Sequence, residues 1–139
     1  MSHPTFSTAR PHLGILGGGQ LAKMLGQAAT QLGCTLSILE RKATPGGPLL
    51  AGPTHIGNWD EADTLLQFAR GVDVVILENE FVEADALAEL EQHGHPLRPS
   101  AECIRLVQDK LVQKQTLAAA GLPVAAFRAV DHPEEVAEA

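Results

Sequence analysis

A glycine-rich turn near the start of the chain is the first feature that could take part in chemistry. Residues 17–22 have the pattern Gly-x-Gly-x-x-Ala, which follows a short apolar run and precedes residues at helical spacing. Glycines let the backbone approach a ligand closely, and the N–H groups at a helix start favour an anion such as a phosphate. The pattern therefore predicts an anion site, although a plain tight turn would look the same.

Carboxylates follow two of the predicted strands. Glu40 ends the second strand, where dinucleotide-binding folds place the acid that contacts a ribose. Glu78 and Glu80 follow an almost continuous apolar strand, at residues 72–77. Two residues apart on a strand, Glu78 and Glu80 would face the same way at the carboxyl edge of the sheet, the usual ligand crevice. They could hold ribose hydroxyls or an amine, or they could be two solvated acids.

The elements that must position these residues alternate along the chain. Apolar runs predict strands at residues 12–16, 35–39, 54–57, 72–77 and 96–98. Helical spacing predicts a helix in each longer interval, and a helical crossover makes the flanking strands parallel. The sequence therefore predicts an α/β fold with a mostly parallel sheet.

The first predicted helix has an apolar face that should pack on the sheet. Its members are Leu21, Met24, Leu25, Ala28, Ala29 and Leu32.

The last forty residues read differently from the rest. Helical spacing predicts one helix from Ser100 to Ala120, and an apolar run predicts a strand at residues 124–130. A helix start at Asp131 leaves barely two turns before the last residue, too few for a stable isolated helix. We therefore expect the chain to be a fragment, with one domain at residues 12–99 and the start of a second at residues 100–139.

Composition excludes several classes of protein. The chain has a net charge of −7, 4% aromatic residues and no tyrosine, which argues against nucleic acid as a partner. No apolar stretch approaches the roughly 20 residues of a membrane span, and no signal peptide is evident, so we expect a cytoplasmic protein without a membrane partner. Residues 1–42 nevertheless hold four basic residues against one acidic residue, a local surplus that could receive an anion.

Six ordered blocks give the chain a specific resemblance, which runs from about Leu13 to Val130. They are Leu13-Gly-Ile-Leu-Gly-Gly-Gly-Gln-Leu-Ala-Lys-Met-Leu25, Gly57-Asn-Trp-Asp60, Asp73-Val-Val-Ile-Leu-Glu-Asn-Glu80, Pro99-Ser100, Gln108-Asp-Lys-Leu-Val-Gln-Lys114 and Gly121-Leu-Pro123. In these blocks the chain resembles the N-terminal part of the N5-carboxyaminoimidazole ribonucleotide synthetase family of ATP-grasp ligases.

The resemblance implies a Rossmann-like pre-ATP-grasp domain followed by the start of an ATP-grasp domain. It also implies an activity in purine biosynthesis, in which ATP activates bicarbonate as carboxyphosphate and the carboxyl group passes to the amine of aminoimidazole ribonucleotide. The partners would be these small molecules, with ATP and Mg²⁺ as cofactors and a homodimer as one assembly. The magnesium ligands would lie beyond Ala139, so the fragment alone should be inactive.

The resemblance also assigns roles to particular residues. Gly19, Gln20 and Leu21 match the turn that meets the substrate, and Glu78 and Glu80 match the paired acids of the same site. Lys110 matches the basic residue that reaches the ATP phosphates. No catalytic residue and no metal ligand is assigned in this chain. Gln20 could instead only cap the turn, and Lys110 could be an ordinary exposed lysine beside Asp109.

Two departures from the family pattern leave rival functions open. Ala22-Lys23 stands where the family commonly has Gly-Arg, and Phe81 stands where it commonly has Asn or His. Phe81 can stack on a ring but its side chain cannot hydrogen-bond, which leaves room for a sister ATP-grasp ligase with another substrate. The glycine turn and Glu40 would also suit an NAD(P)-binding Rossmann module of an oxidoreductase. A non-catalytic α/β interaction domain is the remaining alternative.

Overall fold

The computed structural model describes residues 10–43 and 52–138. Its strands are β1 His12–Leu16, β2 Thr35–Glu40, β3 Thr54–Ile56, β4 Val74–Leu77 and β5 Leu97–Arg98. Its helices are α1 Gln20–Gln31, α2 Ala62–Ala69, α3 Ala84–Gln92, α4 Ala101–Gln108 and α5 Lys110–Ala119, with a 3-10 helix at Pro133–Glu138. None of the helices in these ranges has the length and apolar character needed to cross a membrane.

The five strands form one sheet in the order β3-β2-β1-β4-β5, and every pair is parallel. Ile15 of β1 lies between Ile38 of β2 and Ile76 of β4 at the centre of the sheet. Helical crossovers follow β1 and β4, as parallel neighbours require. The predicted α/β fold with a parallel sheet is therefore confirmed.

The face of α1 that packs on the sheet differs from the predicted one. The buried residues of α1 are Ala22, Gly26 and Ala29, and the two alanines share a core cluster with Ile15, Leu36 and Ile38. The small residues let the helix lie close to the strands. Of the predicted face only Ala29 is buried, and its large members are 36 to 82% exposed.

Two stripes of α1 recur at helical spacing, one of small residues and one of large apolar residues. A search for hydrophobic periodicity selects the stripe of large apolar residues as the buried face, because large apolar side chains score as more hydrophobic than alanine and glycine. Packing on a flat sheet favours the small stripe instead. This difference explains why the prediction selected the wrong face.

The opposite face of the sheet is covered by α2 and α3. Phe68 of α2 lies directly over Gly14 of β1, where a Cβ atom would come within 2.7 Å of the Phe68 ring. Leu65, Leu87 and Leu90 of the two helices are completely buried. The sheet is thus covered on both faces, and its carboxyl edge is left for the turns that follow β1, β2 and β4.

The chain divides into two compact units between Ile104 and Arg105, so the domain boundary predicted after residue 99 stays a prediction. The predicted single helix from Ser100 to Ala120 is wrong in one respect, because it breaks at Asp109 into α4 and α5. Asp109 is the N-cap of α5, and its carboxylate accepts bonds from the N–H groups of Leu111 and Val112. Such side-chain bonds compete with helix continuation.

The strand predicted at residues 124–130 is also wrong. These residues are irregular and pair with no strand in the described part of the chain. An apolar run becomes a strand only where a neighbouring strand satisfies its backbone groups.

The packing of α1 can be tested with one substitution at two adjacent positions. Ala29→Leu should lower the free energy of unfolding by about 1–3 kcal/mol, because the added atoms have no room against the sheet. Ala28→Leu is the matched control, and it should change the stability by less than about 0.5 kcal/mol since Ala28 is exposed. Urea denaturation of both variants measures the difference. Equal losses of unfolding free energy in the two variants would contradict the assignment of Ala29 to the buried face of α1.

Candidate functional site

The glycine-rich turn joins β1 to α1 at the carboxyl edge of the sheet. Gly17 has a φ of 104°, in a region that side chains other than hydrogen strongly disfavour, and its N–H donates to the Leu39 carbonyl at 2.9 Å. Gly19 is the N-cap residue of α1 and has no side chain to cap the helix. The first N–H groups of α1 must therefore find an acceptor elsewhere.

Glu78 supplies that acceptor from the residue after β4. Its Oε2 atom accepts a bond from the N–H of Ala22 at 2.7 Å, and its Oε1 atom accepts one from the N–H of Gly19 at 3.1 Å. An acidic group at a helix start is also favoured by the helix dipole. Glu78 thus caps a helix that begins 58 positions earlier in the chain.

Glu40, the last residue of β2, lies on the other side of the turn. A Cβ atom on Gly18 would come within 2.6 Å of the Glu40 carboxylate, and only 7% of Glu40 is exposed. Burial, and next the negative charge of Glu78, raise the pKa of Glu40 above its ordinary value of 4.5, while Lys42 acts in the opposite direction. The turn is therefore held between two carboxylates.

The predicted substrate residues fall in one region of the first unit. Gly19, Gln20 and Leu21 are exposed at the rim of the turn, and Leu21 is 54% exposed. Glu78 lies directly against them through its bond to Gly19. The geometry thus brings the glycine turn and the first of the two acids together.

Glu80 is half-buried two residues further on. Because β4 ends at Leu77, Glu78 and Glu80 lie in a bend rather than on the strand. The alternation of side chains that predicted a shared direction for the two carboxylates therefore does not extend to them. The exposed ring of Phe81 follows them at the same edge of the sheet.

Lys110 belongs to the second unit. It is the first residue of α5, and its Nζ atom donates to the carbonyl oxygen of Val107 at 3.0 Å. Its side chain is exposed, as contact with a phosphate would require.

A second polar cluster at the carboxyl edge was not predicted as such. The Arg41 guanidinium pairs with Asp60 and lies 4.9 Å from the centre of the Trp59 ring. The other oxygen of Asp60 accepts a bond from the N–H of Glu83 at 3.2 Å. Asp60 therefore links the end of β2 to the start of α3. Asp60 does not cap α2, because the N-cap residue of that helix is Glu61.

A pocket of about 470 Å³ lies away from the glycine turn, between the β2–β3 edge and α2. It is lined by Ser37, Leu39, His55, Ile56, Thr64, Gln67, Phe68, Gly71 and Val72. None of the predicted site residues lines this pocket, so its volume does not define the candidate site. In residues 10–43 and 52–138, no group of three or more His, Cys, Asp or Glu side chains could hold a metal ion.

Comparison with known proteins adds a family to this geometry. Residues 11–108 match the model of the ribonucleotide synthetase pre-ATP-grasp domain. The chain is 40% identical over 119 residues to the N5-carboxyaminoimidazole ribonucleotide synthase of Synechococcus elongatus, covering 86% of this chain and 30% of that relative. It is 34% identical to the chloroplastic phosphoribosylaminoimidazole carboxylase of Vigna aconitifolia, covering 21% of that relative. The chain thus spans less than a third of either relative.

Solved structures are similar to most of this chain. The synthetase from Thermus thermophilus superimposes with a TM-score of 0.75 at 35% identity, covering 91% of this chain and 34% of that one. The Aspergillus clavatus enzyme, solved in complex with ADP and 5-aminoimidazole ribonucleotide, gives 0.75 at 32% identity, covering 93% and 35%.

The buried carboxyl of Glu40 predicts how stability depends on pH. Because its pKa is raised in the folded chain, the folded state holds this proton more tightly than the unfolded state above pH 4.5. Stability contributed by this group should therefore fall as pH rises from 4.5 through the raised pKa. Glu40→Gln removes the titration. In urea denaturation, the wild type should lose free energy of unfolding relative to the variant as the pH rises from 4.5 through the raised pKa.

Proposed function

Because the chain belongs to the family of ribonucleotide synthetase pre-ATP-grasp domains, we propose that it forms the substrate-side domain of an ATP-grasp ligase. The proposed reaction is the carboxylation of aminoimidazole ribonucleotide with bicarbonate and ATP, in purine biosynthesis. The two relatives named above are an N5-carboxyaminoimidazole ribonucleotide synthase and a phosphoribosylaminoimidazole carboxylase, and these names support the proposed product and the proposed carboxylation. The proposed reaction is that of a longer enzyme of which this chain would form one domain, since the chain spans only 30% of the Synechococcus relative.

One observation carries the proposal further than the others. The Aspergillus clavatus structure, solved with ADP and 5-aminoimidazole ribonucleotide, covers 93% of this chain at 32% identity. Open parallel sheets commonly bind their ligands at the carboxyl edge of the strands, and the glycine turn of this chain lies at that edge. This supports the same class of ligands for the fuller enzyme to which the chain would belong.

The nucleotide side of the site is proposed for the exposed rim of the glycine turn. Gln20 offers both a donor and an acceptor there, beside the backbone of Gly19 and the side chain of Leu21. Glu78 and Glu80 add carboxylates at the end of β4, which suit hydroxyl or amine groups of a ribonucleotide. These five residues remain the proposed substrate contacts.

The ATP side is proposed for Lys110. Its ammonium group is a flexible point charge that suits a phosphate, and its bond to the Val107 carbonyl holds it at the junction of α4 and α5. The accompanying Mg²⁺ is proposed to bind outside this part of the enzyme, because the described residues offer no cluster of ligands for it. We also propose that the enzyme is cytoplasmic and forms a homodimer.

The rival dinucleotide module fits the site less well. A Rossmann domain binds the pyrophosphate of its dinucleotide on the N–H groups at the start of the first helix. Here the carboxylate of Glu78 accepts bonds from two of those groups. The other rival is a sister ATP-grasp ligase, whose different substrate would contact Phe81. Measuring turnover with aminoimidazole ribonucleotide distinguishes this rival from the proposed ligase.

A chimera provides the direct test. The matching 119 residues of the Synechococcus enzyme are replaced by this chain, and ADP release is measured with aminoimidazole ribonucleotide and bicarbonate. We expect turnover that needs both substrates, because the exchanged domain supplies the nucleotide side of the site. The isolated chain should show no ATP turnover. A folded chimera that binds ATP without responding to the ribonucleotide, or tight NADH binding by the chain, would contradict the proposal.

Two single variants of the chimera test the division of labour. Glu80→Gln should raise KM for aminoimidazole ribonucleotide about tenfold, the equivalent of one charged hydrogen bond, and leave KM for ATP nearly unchanged. Lys110→Ala should raise KM for ATP and leave KM for aminoimidazole ribonucleotide nearly unchanged. Each variant is therefore the control for the other. Equal effects of both variants on both substrates would refute the assignment.

A further inference from the structure

The start of α1 has the features of an anion site. Gly19 is an N-cap residue without a side chain, and the N–H groups of the first turn point out of the helix. In glycine-rich turns of this kind, an external phosphate commonly accepts their hydrogen bonds. The residues that fill this position decide which end of a nucleotide can approach the turn.

The position is filled by a carboxylate of the chain itself. Glu78 accepts bonds from the N–H groups of Ala22 at 2.7 Å and Gly19 at 3.1 Å. Its side chain also packs on the turn, since a Cβ atom would come within 2.5 Å of it at Gly17 and within 3.0 Å at Gly19. A phosphate could reach these donors only by displacing Glu78.

We propose that Glu78, in addition to its proposed contact with the substrate, acts as an internal anion that closes the glycine turn to phosphate. Its charge satisfies the helix start, and its side chain fixes the path of the turn from Gly17 to Gly19. A second carboxylate strengthens the exclusion, because Glu40 lies against Gly18 on the other side. A phosphate that approaches the turn would meet the like charge of Glu78, with the Glu40 carboxyl on the other side of the turn.

Closure of the glycine turn by Glu78 would also set the orientation of a phosphorylated substrate. This inference rests on the proposed function. Gln20 and Leu21 lie exposed at the rim of the closed turn. They would therefore meet an uncharged part of the ribonucleotide, and its phosphate would bind away from the start of α1. This orientation is the reverse of the one that a dinucleotide-binding turn imposes.

Titration with inorganic phosphate at constant ionic strength tests the closure in the 139-residue chain. In the wild type, the backbone amide resonances of Gly19 and Ala22 should not shift. Glu78→Ala should lower the Tm by roughly 4 °C or more, and phosphate should then shift both amides saturably and recover part of the loss. A saturable shift in the wild type, or an Ala variant that does not respond to phosphate, would overturn the proposal.

A second measurement does not depend on the stability of the Ala variant. In Glu78→Gln the amide proton resonances of Gly19 and Ala22 should shift relative to the wild type, because the charged acceptor of both hydrogen bonds is lost. In the matched control Glu80→Gln these two resonances should keep their positions. Unchanged Gly19 and Ala22 amides in Glu78→Gln would overturn the proposal. Either failure leaves the chimera's carboxylation untouched, so the two proposals can fail separately.

Discussion

The bond between Glu78 and the start of α1 is the constraint on which the candidate site depends. It joins the end of β4 to a turn 59 residues earlier, and it gives α1 the cap that Gly19 cannot provide. The same contact explains the glycines, because a Cβ atom at Gly17 would collide with Glu78 and one at Gly18 with Glu40. A turn held between two carboxylates leaves no room for side chains.

Most of the fold could be predicted because its signals are local. Each strand of the parallel sheet is an apolar run, and the helical crossovers follow from the spacing of the residues between them. The failures occur where tertiary packing, a side-chain cap or the lack of a partner strand overrides the local apolar pattern. The small stripe of α1 packs on the sheet in place of the large one, Asp109 captures two amides and breaks a helix, and residues 124–130 find no partner strand.

The candidate site was only partly predictable, for a related reason. Parallel strands bring their carboxyl ends to one edge, so the sequence could place the glycine turn, Glu40 and Glu78 near one another. The sequence could not show which group accepts the hydrogen bonds from the N–H groups of the turn. That choice depends on atomic distances across the sheet. The link from Arg41 through Asp60 to the backbone of Glu83 was missed in the same way, because an aspartate before a helix usually caps that helix.

The long separation between Glu78 and its partners also bears on when the site takes shape. The β1-α1-β2 unit is complete at Glu40, yet the anion that caps its helix comes 56 residues after Ala22. Glu78 can cap the helix start only when β4 lies beside β1 in register, so the geometry of the turn depends on the alignment of the two central strands.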